Sequence, residues 1–262
     1  MFNLKKKPVD PGDVEVNGSV LAAITNYDFS DNADNLKKNM SVHFQSILID
    51  SSSPIPPALV DVSIPNQYYV GLWNESVRLA IAMNKSWLLF LASDVLVPDM
   101  DLLAERIKAV VRRGNKVGVY TASLRHDSRI AYEYCYNRAT ASIREGFLCE
   151  GFFFLARTEL LKKLYPVEAA YNKYGWGVDV AAACRAYEAG FKVVVDDLIE
   201  IYHPPSIHPI SLEVANQEVM SYLGKVGALT FFERAKAVVE TKKKLSAVLG
   251  NRLASKIPWP AI

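Results

Sequence analysis

The sequence lacks any long uninterrupted apolar run, although 50% of its 262 residues are hydrophobic. No window approaches 18 consecutive apolar residues, which argues against a membrane-spanning helix of ordinary length. The N-terminal segment carries charge without an apolar core and does not predict a secretory signal. We therefore expect a cytoplasmic protein, and a chain of this length can bury one large core.

Cysteine and excess charge are also scarce. Three cysteines, Cys135, Cys149 and Cys184, stand far apart in the chain, and this odd number fits neither a disulfide framework nor a zinc cluster. The formal net charge is only +2, whereas recognition of a phosphate backbone normally needs lysine and arginine concentrated on one face. The composition therefore predicts small-molecule partners and no nucleic acid.

Strand and helix patterns alternate along most of the chain. The polar residues 1–17 predict a flexible N-terminal arm. Over residues 18–210, apolar runs such as residues 148–156 alternate with helical periodicity, which predicts an α/β domain with a mainly parallel sheet and helices on both faces. Residues 211–262 carry an apolar stripe at helical spacing and predict a C-terminal helical extension. This extension either packs on its own domain, makes a peripheral membrane contact or forms a homodimer.

Three side chains stand at predicted strand ends or helix starts. The apolar run Trp87–Val97 contains one carboxylate, Asp94, and predicts a buried strand that ends where open α/β sheets bind ligands. Asp179 lies in the first turn of a predicted helix, and His203 follows another strand. Each also has a structural interpretation: a turn or cap residue for Asp94, a helix-dipole partner for Asp179, and a loop histidine for His203. Their order and context together favour one shared rim of the sheet.

The segments around these residues, taken in order, resemble a GT-A fold glycosyltransferase of the family 2 kind over most of the chain. The first strand and the loop that follows it resemble the nucleotide-entry loop of this family. LASDV stands where its Asp-x-Asp motif belongs, GWGVDV resembles its Glu-Asp region, and IYHPP places a histidine where many members have a third metal ligand. The resemblance implies a GT-A, Rossmann-like sheet and the following nucleotide and donor contacts: Thr25, Asn26, Tyr27, Asp50, Asn74, Ser93 and Asp94. Glu150 and Gly151 are further candidates for contact with the donor sugar, but Glu150 is equally explained as a surface acid on an edge strand.

The same resemblance implies a reaction. Asp94 and His203 would hold Mn²⁺ or Mg²⁺ beside the diphosphate of the donor, and Asp179 would be the catalytic base. Trp176 is either a platform on which the acceptor sugar stacks or a core tryptophan. The implied activity is metal-dependent, inverting transfer of a sugar from a nucleoside diphosphate sugar to a glycan or lipid-linked glycan, as in polysaccharide biosynthesis.

Two acids of the family pattern are absent. Ala92 stands in place of the first Asp-x-Asp acid, and Val178 replaces the glutamate before Asp179. Because the last acid of the motif normally binds the metal, the first loss predicts weaker, nucleotide-assisted metal binding. Two alternatives are a non-catalytic nucleotide-sugar-binding or scaffold protein and a sugar nucleotidylyltransferase. The second needs a glycine-rich phosphate loop with a basic residue, which residues 22–30 lack.

Overall fold

The computed structural model describes residues 11–112, 116–129, 132–205 and 212–249. Its helices are α1 Pro11–Ser19, α2 Ser30–Met40, α3 Tyr68–Ala82, α4 Met100–Arg112, α5 Thr158–Lys162, α6 Val178–Glu188, α7 Leu212–Lys225 and α8 Leu229–Leu249. Its strands are β1 Val20–Asn26, β2 Gln45–Asp50, β3 Val62–Ser63, β4 Trp87–Ala92, β5 Val117–Leu124, β6 Ile143–Gly146, β7 Phe153–Arg157 and β8 Lys192–Ile201.

The strands form one mixed sheet in the order β3-β2-β1-β4-β7-β5-β8-β6. The pairs β1–β2, β1–β4, β2–β3 and β5–β8 are parallel, whereas β7 and β6 run antiparallel to their neighbours. Every residue of β1 is buried, as expected for a central strand whose two faces are both covered. The predicted fold class, a mainly parallel sheet flanked by helices, is confirmed.

The carboxyl ends of β1, β2 and β4 lie side by side at one rim of the sheet. Asn26 at the end of β1 is in register with Asp50 of β2, and Thr25 is in register with Ala92 of β4. Because β7 runs the other way, with Phe153 opposite Leu91, the segment before β7 reaches the same rim. Polar residues distant in the sequence are thus gathered at one edge.

Two sequence predictions differ from the structure. Residues 11–17 belong to helix α1 instead of a flexible arm, and Val16 in that helix is buried. The strand predicted over residues 148–156 begins only at Phe153, so Glu150 and Gly151 lie in the loop and turn before β7. Residues 1–10 of the predicted arm lie outside the described residues.

The C-terminal helices pack on the sheet domain through α6. Leu223 of α7 and Ala235 of α8 are fully buried, and Arg185 of α6 donates a hydrogen bond to the carbonyl of Val226. This is the first of the three predicted modes, and it holds for α7 and the start of α8. Within the described ranges, none of the helices combines the length and apolar character needed to cross a membrane.

Candidate active site

A closed hydrogen-bond network joins the ends of β1, β2 and β4. The amide of Asn26 donates to Asp50 Oδ1 at 2.8 Å and to Ser53 Oγ at 3.0 Å. Ser93 Oγ donates to Asn26 Oδ1 at 2.7 Å. Asn26, Asp50 and Ser93 are all buried, so their side chains build the framework of the rim. In this arrangement both ends of the Asn26 amide are engaged within the protein, which favours a structural role over the predicted direct contact with a donor.

The other predicted nucleotide contacts of this corner differ in exposure. Thr25 is buried, and its hydroxyl lies 3.5 Å from the carbonyl oxygen of Leu91 in the neighbouring strand. Tyr27, one residue beyond β1, is 37% exposed. Of the three residues predicted at this corner, Tyr27 is therefore the exposed one, while Thr25 faces the neighbouring strand.

Asn74 has a structural role that the sequence did not predict. Its Nδ2 donates to the carbonyl of Val167 at 2.8 Å, and its Oδ1 accepts from the backbone N–H of Val167 at 2.9 Å. Both ends of the amide are used to hold α3 to the chain after α5. These two hydrogen bonds favour a structural role for Asn74 over the predicted donor contact.

We expect Asn74→Ala to lower the free energy of unfolding by about 1–3 kcal/mol, because it leaves two backbone groups of Val167 without partners. Urea denaturation measures the loss, and nucleotide affinity should stay unchanged. Arg78→Ala on the same helix removes an exposed ion pair with Glu75 and should cost less than about 1 kcal/mol. A loss of nucleotide affinity in folded Asn74→Ala protein would restore Asn74 to the donor site.

Asp94 and His203 meet at the same rim. The backbone groups of Leu96 and Tyr202 exchange hydrogen bonds of 2.8 and 2.9 Å, which ties the loop after β4 to the end of β8. His203 Nε2 then lies 3.1 Å from Asp94 Oδ2. The imidazole stacks on Phe152 with ring centroids 3.9 Å apart. Two predicted site residues that are 109 positions apart in the sequence are therefore in direct contact.

The surroundings of this pair suit a divalent cation. His203 Nδ1 lies 2.9 Å from the carbonyl oxygen of Arg129. Because a carbonyl can only accept, Nδ1 donates a proton to it, and Nε2 is the ring nitrogen that faces Asp94. Metal-binding histidines are commonly oriented in this way. In addition, Asp94 Oδ1 is buried without a hydrogen-bond partner, so one carboxylate oxygen and one imidazole nitrogen are placed as ligands.

Asp94 and His203 are the two ligands that the described residues place at this site. No group of three or more histidine, cysteine, aspartate or glutamate side chains within the described part of the chain is arranged to hold a metal. A six-coordinate cation would therefore take its remaining oxygens from a bound diphosphate and water.

Asp179 lies in the first turn of α6 and is 6% exposed. The turn before it contains Gly175 and Gly177, whose φ angles of +70° and +85° favour glycine. Asp179 Oδ1 accepts from the backbone N–H of Val180 at 2.9 Å. Burial raises the pKa of Asp179 to about 6, although hydrogen bonds from backbone groups, including that of Gly151, oppose the rise. The carboxyl group is thus poised to exchange a proton near neutral pH.

The titratable neighbours of Asp179 are uncharged at neutral pH. Burial and the nearby Asp179 carboxylate raise the pKa of Tyr69, Tyr132, Tyr222 and Cys149 above their ordinary values. Apart from Cys149, these residues come from α3, from the loop before the 3₁₀ turn at Glu133–Cys135 and from α7. Sequence reasoning missed the three tyrosines because nothing local connects them with a site so distant in the chain.

Gly151 and Phe152 connect the two centres. A side chain at Gly151 would place its Cβ 3.7 Å from Asp179 Oδ2, and the next residue, Phe152, stacks on His203. Glu150 is 5% exposed and accepts from the backbone N–H of Tyr132 at 2.7 Å. Glu150 therefore holds the neighbouring loop, and Gly151 lies directly beside the Asp179 carboxylate.

Trp176 lies between the two glycines that precede α6. Its side chain is half-buried, and its carbonyl accepts from Asn172 Nδ2 at 2.8 Å. The atoms nearest to a Cβ built on Gly177 belong to the side chains of Val219 and Leu223 of α7. The C-terminal extension thus covers the turn that carries Trp176 and leads to Asp179.

Comparisons with known proteins bear on the fold. No family model matches the sequence, and no curated protein matches it. A structure of GalNAc-T7 with UDP, GalNAc and Mn²⁺ is similar over 87% of this chain and 51% of its own, with a TM-score of 0.57 and 10% identity. The chain therefore spans about half the length of that protein.

Two further structures match nearly full length. Glucosyl-3-phosphoglycerate synthase from Mycobacterium tuberculosis, in complex with Mn²⁺, UDP and glucosyl-3-phosphoglycerate, has a TM-score of 0.54 and 14% identity over 85% of this chain and 86% of its own. A mycobacterial protein gives a TM-score of 0.53 and 14% identity over 85% and 80% of the two chains. At these identities the likeness establishes the fold, and this chain has the GT-A fold of these proteins.

Proposed function

We propose that this protein is a metal-dependent glycosyltransferase that moves a sugar from a nucleoside diphosphate sugar to a hydroxyl acceptor. The observation that carries the proposal is the pairing of Asp94 with His203 at the same rim as Asp179, with Gly151 and Phe152 between them. Two proteins of the same fold have been crystallised with UDP and Mn²⁺, which supports this class of donor and metal.

Asp94 and His203 are the residues that would hold Mn²⁺ or Mg²⁺. Such a cation, when bound, neutralises the negative charge that develops on the departing diphosphate. The protein contributes the placement: the carbonyl of Arg129 fixes the histidine tautomer, and Phe152 fixes the plane of the ring. The imidazole ligand slightly favours Mn²⁺ over Mg²⁺.

Asp179 would accept the proton of the acceptor hydroxyl. Its burial removes competing water, and backbone N–H groups hold its oxygens in one orientation. A single base and direct attack on the donor sugar lead to inversion at the anomeric carbon. Analysis of the product anomer by NMR tests this step, and a product with retained configuration would contradict it.

The pKa of Asp179 sets the expected pH dependence. Because the base must be ionised and its pKa is raised to about 6, kcat/KM should be nearly constant above pH 7. Below pH 6 it should fall about tenfold per pH unit. Steady-state rates between pH 4.5 and 8.5 measure this limb. A flat profile down to pH 5 would show that Asp179 is not the base.

The acceptor side of the proposal rests on Trp176 and on a pair of tyrosine rings, Tyr68 and Tyr174. Tyr68 is 43% exposed, and its ring meets that of Tyr174 edge-on at 5.3 Å. Flat aromatic faces suit the apolar face of a sugar, so a glycan or lipid-linked glycan is the acceptor we propose. Membrane contact or a homodimer through the C-terminal helices remains a prediction.

A thermal-shift screen of nucleoside diphosphate sugars, each with and without Mn²⁺, tests donor binding. Bound ligand raises the melting temperature according to its concentration relative to Kd. We expect at least one donor to stabilise the protein, and more strongly with Mn²⁺ than without it. If every donor leaves the melting temperature unchanged, the proposed donor class is wrong.

A further inference from the structure

Tyr69 links two segments that are far apart in the sequence. It lies in the first turn of α3, and its hydroxyl donates to the carbonyl of Gly151, 82 residues away. Its ring packs on Phe90 of β4 with centroids 5.1 Å apart. A Cβ built on Gly175 would lie 2.3 Å from Tyr69 Cδ1, so the ring occupies the space that the absent side chain of Gly175 leaves.

Both segments position Asp179. The backbone of Gly151 hydrogen-bonds the Asp179 carboxylate, and a Cβ on Gly151 would meet Asp179 Cγ at 3.7 Å. Gly175 starts the turn that enters α6, since its carbonyl accepts from the backbone N–H of Val178 at 3.5 Å. One tyrosine therefore contacts the chain on both sides of the carboxylate.

We propose that Tyr69 is a positioning residue for Asp179. Its hydroxyl donates to the Gly151 carbonyl, and this hydrogen bond keeps the Gly151 N–H directed at the Asp179 carboxylate. Its ring fixes the turn at Gly175 that begins the helix bearing Asp179. The effect on catalysis rests on the proposed function, whereas the effect on the Asp179 carboxyl group does not.

The electrostatic consequence follows from what surrounds Asp179. The titratable groups that interact with it, besides Tyr69, are Tyr132, Cys149 and Tyr222. All are neutral near pH 6, because burial raises the pKa of each above its ordinary value. The balance at Asp179 is therefore between burial, which favours the protonated acid, and backbone N–H groups, which favour the anion. Loss of the hydrogen bond from Tyr69 to Gly151 weakens the contribution of the backbone N–H groups and should therefore raise the pKa of Asp179.

The chain offers a matched control for Tyr69→Phe. Tyr187 is also half-buried, and its hydroxyl also donates to a glycine carbonyl, that of Gly146. It lies on α6, the helix that carries Asp179, but its ring contacts Phe147 and Phe231. Tyr187→Phe thus removes the same kind of hydrogen bond as Tyr69→Phe, and it does so on the helix that carries Asp179. It leaves the Gly151 and Gly175 segments untouched.

The experiment measures the pKa of Asp179 from the pH dependence of urea unfolding. Wild type, Tyr69→Phe and Tyr187→Phe are each compared with the same protein carrying Asp179→Asn, so that the difference isolates this carboxyl group. We expect Tyr69→Phe to raise the Asp179 pKa by roughly 0.5 to 1 pH unit and Tyr187→Phe to leave it in place. Gly151→Ala, whose new Cβ would lie 3.2 Å from the Tyr69 hydroxyl, should shift it in the same direction.

Equal shifts in the two tyrosine variants, or no shift in either, would overturn the proposal and leave Tyr69 as a packing residue. If Tyr69→Phe does not fold, Gly151→Ala takes its place in the comparison with Tyr187→Phe. Equal Asp179 pKa shifts in these two variants, or no shift in either, would then overturn the proposal. With an active donor, Tyr69→Phe should lower kcat about tenfold or more at an unchanged donor KM. A raised Asp179 pKa in a protein that turns over no donor would uphold the positioning role and reject the proposed function.

Discussion

Replacing Asp179 with asparagine is expected to lower the rate of sugar transfer by about 10²- to 10⁴-fold while leaving donor affinity nearly unchanged. The asparagine keeps the size of the side chain but cannot accept the acceptor proton. Asp179 contacts the Gly151 segment and the start of α6, whereas the donor's diphosphate is assigned to Asp94 and His203. Single-turnover rates and donor binding measured on one preparation separate the two effects.

A collapse of donor affinity in Asp179→Asn would make Asp179 a binding or structural residue. Asp99→Asn is a suitable control, because Asp99 also stands at a helix start and accepts from the backbone N–H of Leu102 at 2.8 Å. Asp99 lies before α4, and its replacement should leave the transfer rate as it is.

The same substitution should stabilise the protein at neutral pH. The pKa of Asp179 is about 6 in the folded state against an ordinary value of 3.8, so the folded state binds this proton more tightly than the unfolded state. Its contribution to stability is therefore fully present below pH 3.8 and is lost as the pH rises through 6. Removing the buried charge should raise the free energy of unfolding at pH 7 by about 1–3 kcal/mol. Urea unfolding at pH 4 should show no such gain.

Removing either member of the Asp94–His203 pair is expected to abolish the extra stabilisation that Mn²⁺ gives to bound donor. Because the described residues place two ligands at the proposed site, Asp94→Asn or His203→Ala leaves one, and metal affinity in the presence of nucleotide should fall at least about 100-fold. Isothermal titration of Mn²⁺ into the nucleotide-bound protein measures this loss. Transfer should fall in parallel at fixed Mn²⁺.

The His43–Asp101 pair provides a matched control. Its imidazole Nε2 lies 2.9 Å from Asp101 Oδ1, a distance similar to that in the proposed site, but the Asp101 side chain is 88% exposed. His43→Ala should therefore leave the Mn²⁺ response intact. Persistence of the full Mn²⁺ response in His203→Ala would place the metal elsewhere.

Ala92, which stands where the resemblance leads us to expect a first motif acid, belongs to strand β4. Ala92 ends β4 in register with Thr25, and the following Ser93 donates its hydroxyl into the network around Asn26. The positions before Asp94 thus complete the rim and add no carboxylate to the site. Asp94 is the residue of this segment that meets His203, and from these two ligands we expect metal binding that depends on the nucleotide.

Asp94 and His203 could be predicted from the sequence because each follows an apolar run that reads as a buried strand. Parallel strands place their carboxyl ends at one rim, so the contact between these residues follows from the topology. Asp179 was likewise marked by its glycine-rich turn and helix start. Each feature taken alone also fits a turn, cap or loop residue, and it is the order of the three along the chain that predicts one shared rim.

The sequence predicts least well where the partner of a side chain or segment is distant in the chain. Nothing near Asn74 indicates that its amide is matched to the backbone of Val167. The apolar residues before Phe153 read as strand, yet the chain there forms the loop and turn that present Gly151 to Asp179, since buried loops and buried strands can have the same composition. The role of Tyr69 depends on two glycine segments that only the folded chain brings together.

The most direct test is release of nucleoside diphosphate from a panel of nucleoside diphosphate sugars, with Mn²⁺ and glycan acceptors, by wild type and Asp179→Asn. We predict Mn²⁺-dependent turnover of at least one donor by wild type, and binding without turnover by the variant. Nucleotide binding with no turnover of any donor would instead identify a non-catalytic nucleotide-sugar-binding protein. Synthesis of a nucleotide sugar from a nucleoside triphosphate and a sugar phosphate, with release of pyrophosphate, would identify a nucleotidylyltransferase and contradict the account.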